Sequence, residues 1–186
     1  MDDPVRGGRV FRPGGSGAGL AIILSVVSRP RRLDAIEYVG LRQYYLTICT
    51  YQRGRNFIDP DTIALVRTQF LRVAIDEQFE ILVYCFMPDH LHAVVTARSE
   101  AADVQRFVRL AKQRSGFRFV QVAGRRLWQE SYFDRAVRSD ESLPDIVKYI
   151  VENPVRARLV AAPAEYPHWG SQIYSREEIL EFIANG

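Results

Sequence analysis

Lysine, cysteine and histidine are all scarce in this chain. Lys112 and Lys148 are the only lysines among 25 Lys and Arg residues, so arginine carries nearly all of the positive charge. Arginine presents a planar, bidentate fork that suits phosphate groups, although a codon bias of the genome would produce the same composition. The formal net charge of +3 and the isoelectric point near 9.0 are compatible with an anionic partner.

The two cysteines, Cys49 and Cys85, are too few and too widely spaced for a disulfide framework or a zinc motif. Both lie in apolar, strand-like runs, which predicts small buried side chains in a reducing cytosol. The longest apolar run near the N-terminus, residues 20–27, is too short to span a bilayer. A basic segment follows it instead of a small-residue cleavage site, which argues against a signal peptide. We therefore expect a cytoplasmic protein without a membrane partner.

A length of 186 residues suits one domain with extensions. The content of 47% hydrophobic and 25% charged residues is that of a globular domain, which can bury a core without disulfides. Residues 1–40 are predicted to form a basic, Gly/Arg-rich extension that is flexible in part. The domain proper is expected over residues 41–160, and residues 161–186 form a tail that ends in a short helix, residues 176–184.

Hydrophobic periodicity predicts alternating strands and helices within that domain. Strands are expected over residues 44–51, 80–87 and 90–97, helices over 61–79 and 101–120, and a further strand or strand pair within 127–138. The order β-α-β-β-α-β predicts an α+β fold, a ferredoxin-like sandwich with an antiparallel sheet and helices on one face. A third helix over residues 140–152 is added after it.

His90 and His92 flank Leu91 in the third predicted strand, and the chain has only three histidines. Side chains alternate between the faces of a strand, so the two imidazoles should share one face while Leu91 enters the core. Neutral imidazole is the commonest metal ligand, so the pair predicts two ligands of one ion. The alternative is two polar residues on a half-exposed strand. The third histidine, His168, has no evident partner and is expected to be structural or on the surface.

The added third helix supplies further candidates at its C-terminal end. Its buried stripe leaves Tyr149 on the polar side, and Asn153 follows four residues later on the same helix face. Because Pro154 disfavours helical geometry in the residue before it, the helix should end near Asn153. The phenol and the amide would then lie where they can reach a neighbouring strand, and an amide oxygen suits Mg²⁺ or Mn²⁺.

Four motifs together resemble the single-tyrosine HUH transposases, specifically the REP-associated tyrosine transposase group. They follow the family order between Arg42 and Tyr174, and they are Tyr44-Tyr45-Leu46-Thr47, Met87-Pro88-Asp89-His90-Leu91-His92, Leu127-Trp128-Gln129 and Tyr149-Ile150-Val151-Glu152-Asn153-Pro154-Val155-Arg156-Ala157. The histidine motif alone is moderately specific. The histidine motif, the Trp-Gln strand and the tyrosine helix together are a highly specific signature of the family.

This resemblance implies an enzyme that cleaves and rejoins single-stranded, hairpin-bearing, repeat-associated DNA. His90 and His92 would bind a divalent metal, Mg²⁺ or Mn²⁺, and Asn153 would complete the protein ligands. Tyr149 would attack a phosphorus of the DNA, form a 5′-phosphotyrosine and release a 3′-hydroxyl. Tyr132 is the rival nucleophile, but Ala136 stands four residues after it, where related enzymes carry an amide ligand.

DNA contacts are expected from basic residues on and after the second helix, namely Arg106, Arg109, Lys112, Arg125 and Arg126, with aromatic rings stacking on unpaired bases. The alternative for this helix is an ordinary solvated face. Asp89 adjoins the histidine pair, either as the residue that orients an imidazole or as a simple turn residue. The oligomeric state stays open between a monomer and a homodimer, and DNA binding implies association with the bacterial nucleoid.

Two other functions compete with this interpretation. One is a catalytically inactive, ferredoxin-like nucleic-acid-binding module. The other is a metal-dependent hydrolase of a smaller phosphate ester that uses the same histidine pair. Intact histidines, tyrosine and asparagine argue against a degenerate relative.

Overall fold

A computed structural model of the chain describes residues 38–137 and 141–185. The predicted N-terminal extension, including its apolar run, lies outside the described residues except for positions 38–40. Among these, Tyr38 is buried in the core and Val39 forms an isolated β-bridge with Asp103. Packing against the domain therefore begins before the expected boundary at residue 41.

One antiparallel sheet of five strands, in the order β4-β1-β3-β2-β5, organises the described part of the chain. Its strands are β1 (Gln43–Cys49), β2 (Phe79–Met87), β3 (His90–Ala97), β4 (Phe133–Ala136) and β5 (Trp169–Gly170). The first four strands with their two connecting helices confirm the predicted ferredoxin-like unit. The fourth strand is shorter than expected, since Trp128 makes only an isolated bridge to Thr50.

Five α-helices accompany the sheet in the described residues. They are α1 (Pro60–Asp76), α2 (Val104–Ala123), α3 (Leu143–Val151), α4 (Asn153–Arg156) and α5 (Arg176–Asn185). Asp59 and Asp103 begin the first two helices, because each carboxylate accepts backbone N–H groups of the first turn. Gly124 ends α2 in the left-handed conformation, with φ of +66°.

The two faces of the sheet carry separate apolar clusters. Leu91, Ala93 and Val95 point into the cluster that α1 and α2 cover, whereas Val94 points into a second cluster with residues of α3 and α5. The helices of the predicted unit therefore share one face, and the C-terminal elements cover the other. Cys85 is buried in the second cluster as predicted, while Cys49 is half-buried, and both thiols are free.

The helix that carries Tyr149 ends at Val151, close to the predicted stop. The chain then bends at Glu152 (φ −84°, ψ −5°) and forms the single turn of α4. Pro154 lies in the first turn of α4, where its missing N–H costs no hydrogen bond. The single-turn helix α4 was not predicted.

The tail runs along the edge of β2 rather than away from the domain. β5 pairs with β2, and the backbone N–H of Phe86 donates to the carbonyl of His168 at 2.9 Å. The His168 ring meets Tyr166 edge-on at 5.3 Å between centroids, which is a structural contact. No helix within residues 38–137 or 141–185 is long and apolar enough to cross a membrane.

Candidate functional site

His90 and His92 lie together on one face of β3, as strand alternation requires. Their Nε2 atoms are 3.0 Å apart and their rings are nearly perpendicular, at 86°. His92 is only 7% exposed, because α3 and its neighbours cover this face of the sheet. The two ring nitrogens therefore face each other at the margin of an apolar layer.

Asp89 holds the first imidazole. Its Oδ1 atom lies 2.6 Å from Nδ1 of His90, and its Oδ2 atom lies 3.3 Å from Nη1 of Arg53. A carboxylate only accepts hydrogen bonds, so the proton sits on Nδ1 and the lone pair of His90 is on Nε2. Of the two alternatives for Asp89, the geometry supports the orienting residue.

Two hydroxyls of β1 hold the second imidazole. Nδ1 of His92 lies 2.9 Å from the hydroxyl oxygen of Tyr45 and 2.9 Å from Oγ1 of Thr47. Thr47 is directly opposite His92 in the β1–β3 register, and Tyr45 lies two residues away on the same face. A hydroxyl both donates and accepts, and the tautomer in which Nδ1–H donates to either hydroxyl leaves the lone pair of His92 on Nε2, where it can bind an ion.

Neither hydroxyl was predicted as a partner of His92 from the sequence, where Tyr45 and Thr47 stand only within a family motif. Tyr45 also belongs to the core: it is buried, and its ring stacks on His92 with 5.7 Å between centroids. Burial raises the pKa of Tyr45 to about 12, so its hydroxyl stays protonated. The alternation of residues in β1 indicates that Tyr45 and Thr47 share one face of the strand. Only the pairing register with β3 shows that this face lies beside His92.

The histidine pair fits a divalent cation. Two ligands at right angles and about 2.1 Å from an octahedral ion are about 3.0 Å apart, which is the observed separation of the two Nε2 atoms. Burial lowers the pKa of His92 to about 3 and also lowers the pKa of His90, so both imidazoles are neutral at neutral pH, as metal binding requires. Within the described ranges, no cluster of three or more His, Cys, Asp or Glu could hold an ion.

Tyr149, on α3, lies next to the histidine pair. Its ring meets His92 edge-on, with 6.4 Å between centroids and an angle of 72°. Asn153 lies beside it, and its Nδ2 donates to the carbonyl of Tyr149 at 3.1 Å. The amide N–H of Asn153 is thus engaged with the backbone of α3, and its amide oxygen stays the predicted third ligand.

Tyr132, the rival nucleophile, belongs to the opposite side of the sheet. Its ring packs against the cluster under α1 and α2, and Nζ of Lys112 lies 5.4 Å from the ring centroid. Ala136, four residues later, is part of β4 and not of a helix. The geometry thus favours Tyr149 over Tyr132 as the group beside the histidines.

An open groove of about 720 Å³ runs between α2 and the segment 126–132. Four of the five predicted DNA-contacting residues line it, together with exposed Phe117 and Val120: Arg106, Arg109, Lys112 and Arg126. Arg125 does not line the groove, because its guanidinium lies over Phe119, 5.3 Å from the ring centroid.

Part of the charge in the groove is already engaged within the protein. Arg106 pairs with Glu77 at 2.9 Å, and Nζ of Lys112 donates to the carbonyl of Glu130 at 2.7 Å. Burial lowers the pKa of Lys112 to about 8. Arg109 is exposed, and no ion pair is found for it among the described residues. Arg109 is therefore the clearest free cation of the groove.

The groove and the histidine pair meet at the same end of β1. The backbone N–H of Tyr51 donates to the carbonyl of Leu127 at 2.7 Å, and that of Gln129 donates to the carbonyl of Cys49 at 3.0 Å. Cys49 in turn faces His90 in the β1–β3 register. The segment that lines the groove is therefore paired with the end of β1 that faces His90.

Comparison with known proteins gives concordant matches. The family model described as "Transposase IS200 like" matches residues 39–153, more than half of the chain. A REP-associated tyrosine transposase of Escherichia coli (strain K12) is 27% identical over 105 residues, which cover 55% of this chain and 61% of that protein. The match thus spans less than two thirds of that relative's length. A putative REP-associated tyrosine transposase of Haemophilus influenzae is 24% identical over 136 residues, covering 67% of this chain and 77% of that protein.

A solved structure shows the same fold. It is a REP-associated tyrosine transposase bound to a REP hairpin, and it superposes with a TM-score of 0.63 and 23% sequence identity. The superposition covers 76% of this chain and 81% of that one. The likeness extends beyond the sheet to most of the described domain.

Proposed function

Since the chain belongs to the IS200-like transposase family, we propose that it cleaves and rejoins single-stranded, hairpin-bearing DNA of the REP type. The observation that carries the proposal is the approach of the Tyr149 ring to His92, whose Nε2 atom faces that of His90 at 3.0 Å. A phenol beside two imidazole nitrogens that could hold a divalent ion supports phosphoryl transfer to tyrosine. The DNA-bound relative supports a hairpin as the substrate class.

Tyr149 is the proposed nucleophile. Its hydroxyl loses a proton, its oxygen forms a bond to phosphorus, and the bond from phosphorus to O3′ breaks. The proton is taken up by O3′, so the products are a 5′-phosphotyrosine and a 3′-hydroxyl. A free phenol with a pKa of about 10 is a weak nucleophile at neutral pH and must be activated or positioned. Attack by another 3′-hydroxyl reverses the step without ATP.

His90 and His92 would hold a divalent ion, Mg²⁺ or Mn²⁺, with the amide oxygen of Asn153 as the third protein ligand. When bound, this ion polarises the scissile phosphate and stabilises the charge of the transition state. Asp89, Tyr45 and Thr47 keep both Nε2 lone pairs directed at one point. Such partners of metal-binding histidines orient the ring and raise its basicity.

The groove along α2 is the proposed DNA path. Arg106, Arg109, Lys112 and Arg126 line it, and guanidinium groups bind phosphates well. Aromatic and apolar side chains such as Tyr132 and Phe117 lie among the charges. Alternating charge and aromatic rings suit a nucleic acid with unpaired bases.

A covalent-capture experiment tests this function. The full chain is incubated with labelled hairpin-bearing single-stranded DNA and Mn²⁺ or Mg²⁺, and the products are separated on a denaturing gel. We expect a protein–DNA adduct that is lost in Tyr149→Phe and still forms in Tyr132→Phe, which removes only the rival hydroxyl and keeps an aromatic ring in the groove. An adduct that persists in Tyr149→Phe would overturn the nucleophile.

The same experiment separates the competing functions. Hairpin binding without an adduct under any metal condition would indicate a nucleic-acid-binding module without catalysis. Turnover of a small phosphate ester that Tyr149→Phe leaves unchanged would indicate a hydrolase.

A further inference from the structure

Arg156 lies directly over the Tyr149 ring. Its guanidinium carbon is 4.1 Å from the ring centroid, and its Nη2 donates to the carbonyl of Tyr149. Its Nη1 also pairs with Glu152 at 3.3 Å. The exposed Arg156 side chain thus makes three contacts, two with Tyr149 and one with Glu152.

Arg156 makes this contact across the junction between α3 and α4. Here α3 ends at Val151, and α4 starts at Asn153 with Pro154 in its first turn. Residues seven apart in a helix lie on the same side, about 10.5 Å apart along the axis. The long side chain of Arg156 spans this distance and reaches the ring and the carbonyl of Tyr149.

The charge of Arg156 also reaches the candidate metal site. Burial is the largest cause of the low pKa of His92, and the positive charge of Arg156 is among the further causes. Arg156 lies outside the lining of the groove along α2, and its contacts are with the proposed nucleophile.

We propose that Arg156 is a positioning residue that holds the Tyr149 ring in its edge-on orientation towards His92. This inference rests on the proposed function of Tyr149 as nucleophile. A guanidinium stacks flat on an aromatic face, and the attraction between cation and ring keeps the ring from turning away. Reaction rates depend steeply on such orientation, because the attacking oxygen must be aligned before the step.

The test combines kinetics with a structural readout on the full chain. Arg156→Met removes charge and stacking, Arg156→Lys keeps the charge without the planar group, and Arg158→Met is the matched control two residues away. In Arg156→Met we expect single-turnover adduct formation to slow about tenfold, equivalent to about 1.4 kcal/mol of barrier. Its hairpin affinity and melting temperature should match those of Arg158→Met. Arg156→Lys should recover only part of the rate.

A fluorine NMR measurement makes the positioning visible without activity. The chain is labelled with 3-fluorotyrosine, and the Tyr149 resonance among the nine tyrosines is assigned by its loss in Tyr149→Phe. We expect Arg156→Met to move and narrow that resonance, while Arg158→Met leaves it unchanged. An unchanged resonance, or adduct formation at the wild-type rate, would overturn the positioning role. If wild-type protein forms no adduct, the proposed function fails, and the resonance still decides whether Arg156 orders the ring.

Discussion

At the residue scale, the central feature is that both imidazoles of the pair have their Nδ1 atoms occupied. Nδ1 of His90 has one hydrogen-bond partner, Asp89, whereas Nδ1 of His92 has two, Tyr45 and Thr47. Each partner keeps an Nε2 lone pair directed towards the other ring. The two sides differ in redundancy, since His92 has a second acceptor if one hydroxyl is removed.

This redundancy predicts strongly non-additive effects of two conservative substitutions. Tyr45→Phe or Thr47→Val alone should weaken Mn²⁺ binding less than about threefold, because one hydroxyl still holds Nδ1 of His92. The double variant leaves that nitrogen buried without a partner and should weaken binding by about tenfold to a hundredfold. Isothermal titration calorimetry with Mn²⁺ measures all three dissociation constants. Simple additivity of the two single effects would show that the hydroxyls act independently.

Part of this residue-scale arrangement could be predicted from sequence. The shared face of His90 and His92 follows from the period of a strand, which is a local property. The contacts of Tyr45 and Thr47 could not be predicted, because they lie 47 and 45 residues from His92 in sequence. They depend on which strand neighbours β3 and in which register.

At the element scale, caps and breaks decide where each helix ends. Asp103 begins α2 and Gly124 ends it, and the second of these uses a left-handed backbone. An alanine Cβ at Gly124 would meet no atom within 4 Å, so the only cost there is conformational. Gly116 in the middle of the same helix has an ordinary backbone, and its Cβ would lie 3.4 Å from Cδ1 of Trp128.

Alanine substitutions at these two glycines should therefore act in opposite directions. Gly124→Ala should lower the free energy of unfolding by about 1 kcal/mol, because residues with a Cβ disfavour the left-handed region. Gly116→Ala should raise it by up to about 1 kcal/mol, because alanine is the better helix former. Urea denaturation followed by circular dichroism gives both values. A loss of stability in Gly116→Ala would show that the contact with Trp128 is too tight.

The break after α3 could be predicted from the sequence only in part. Pro154 predicted the end of the helix, because proline restricts the residue before it. The continuation into α4 could not be predicted from that rule, since proline is tolerated in a first helical turn. Arg156, which lies over the Tyr149 ring, is the last residue of that continuation.

At the scale of the whole molecule, the sheet separates the two parts of the proposed DNA site. The histidine pair and Tyr149 lie on the face covered by α3 and α5, whereas the groove belongs to α2 on the other face. The two meet at the end of β1, where the segment 127–129 pairs with residues 49–51. A hairpin bound in the groove would have its single-stranded extension pass around this end.

Salt dependence of hairpin binding tests this path. Arg109→Gln removes a free cation of the groove, so binding should weaken and the slope of log K against log[salt] should become shallower by about 0.7 to 0.9. Arg118→Gln, on the same helix but outside the groove lining, should leave the slope nearly unchanged. Fluorescence anisotropy at several salt concentrations measures both variants. Equal slopes for the two variants would place the DNA elsewhere.

The sequence by itself determined the features that arise within one element: two histidines on one strand face, a tyrosine and an asparagine on one helix face, and the helix end near Pro154. The order of strands and helices was also accessible, because hydrophobic periodicity is a local signal. Only the tertiary structure decided that Tyr149 and not Tyr132 lies beside His92, and that Tyr45 and Thr47 hold its Nδ1. These contacts join residues on different elements, and the packing of both sheet faces selects them.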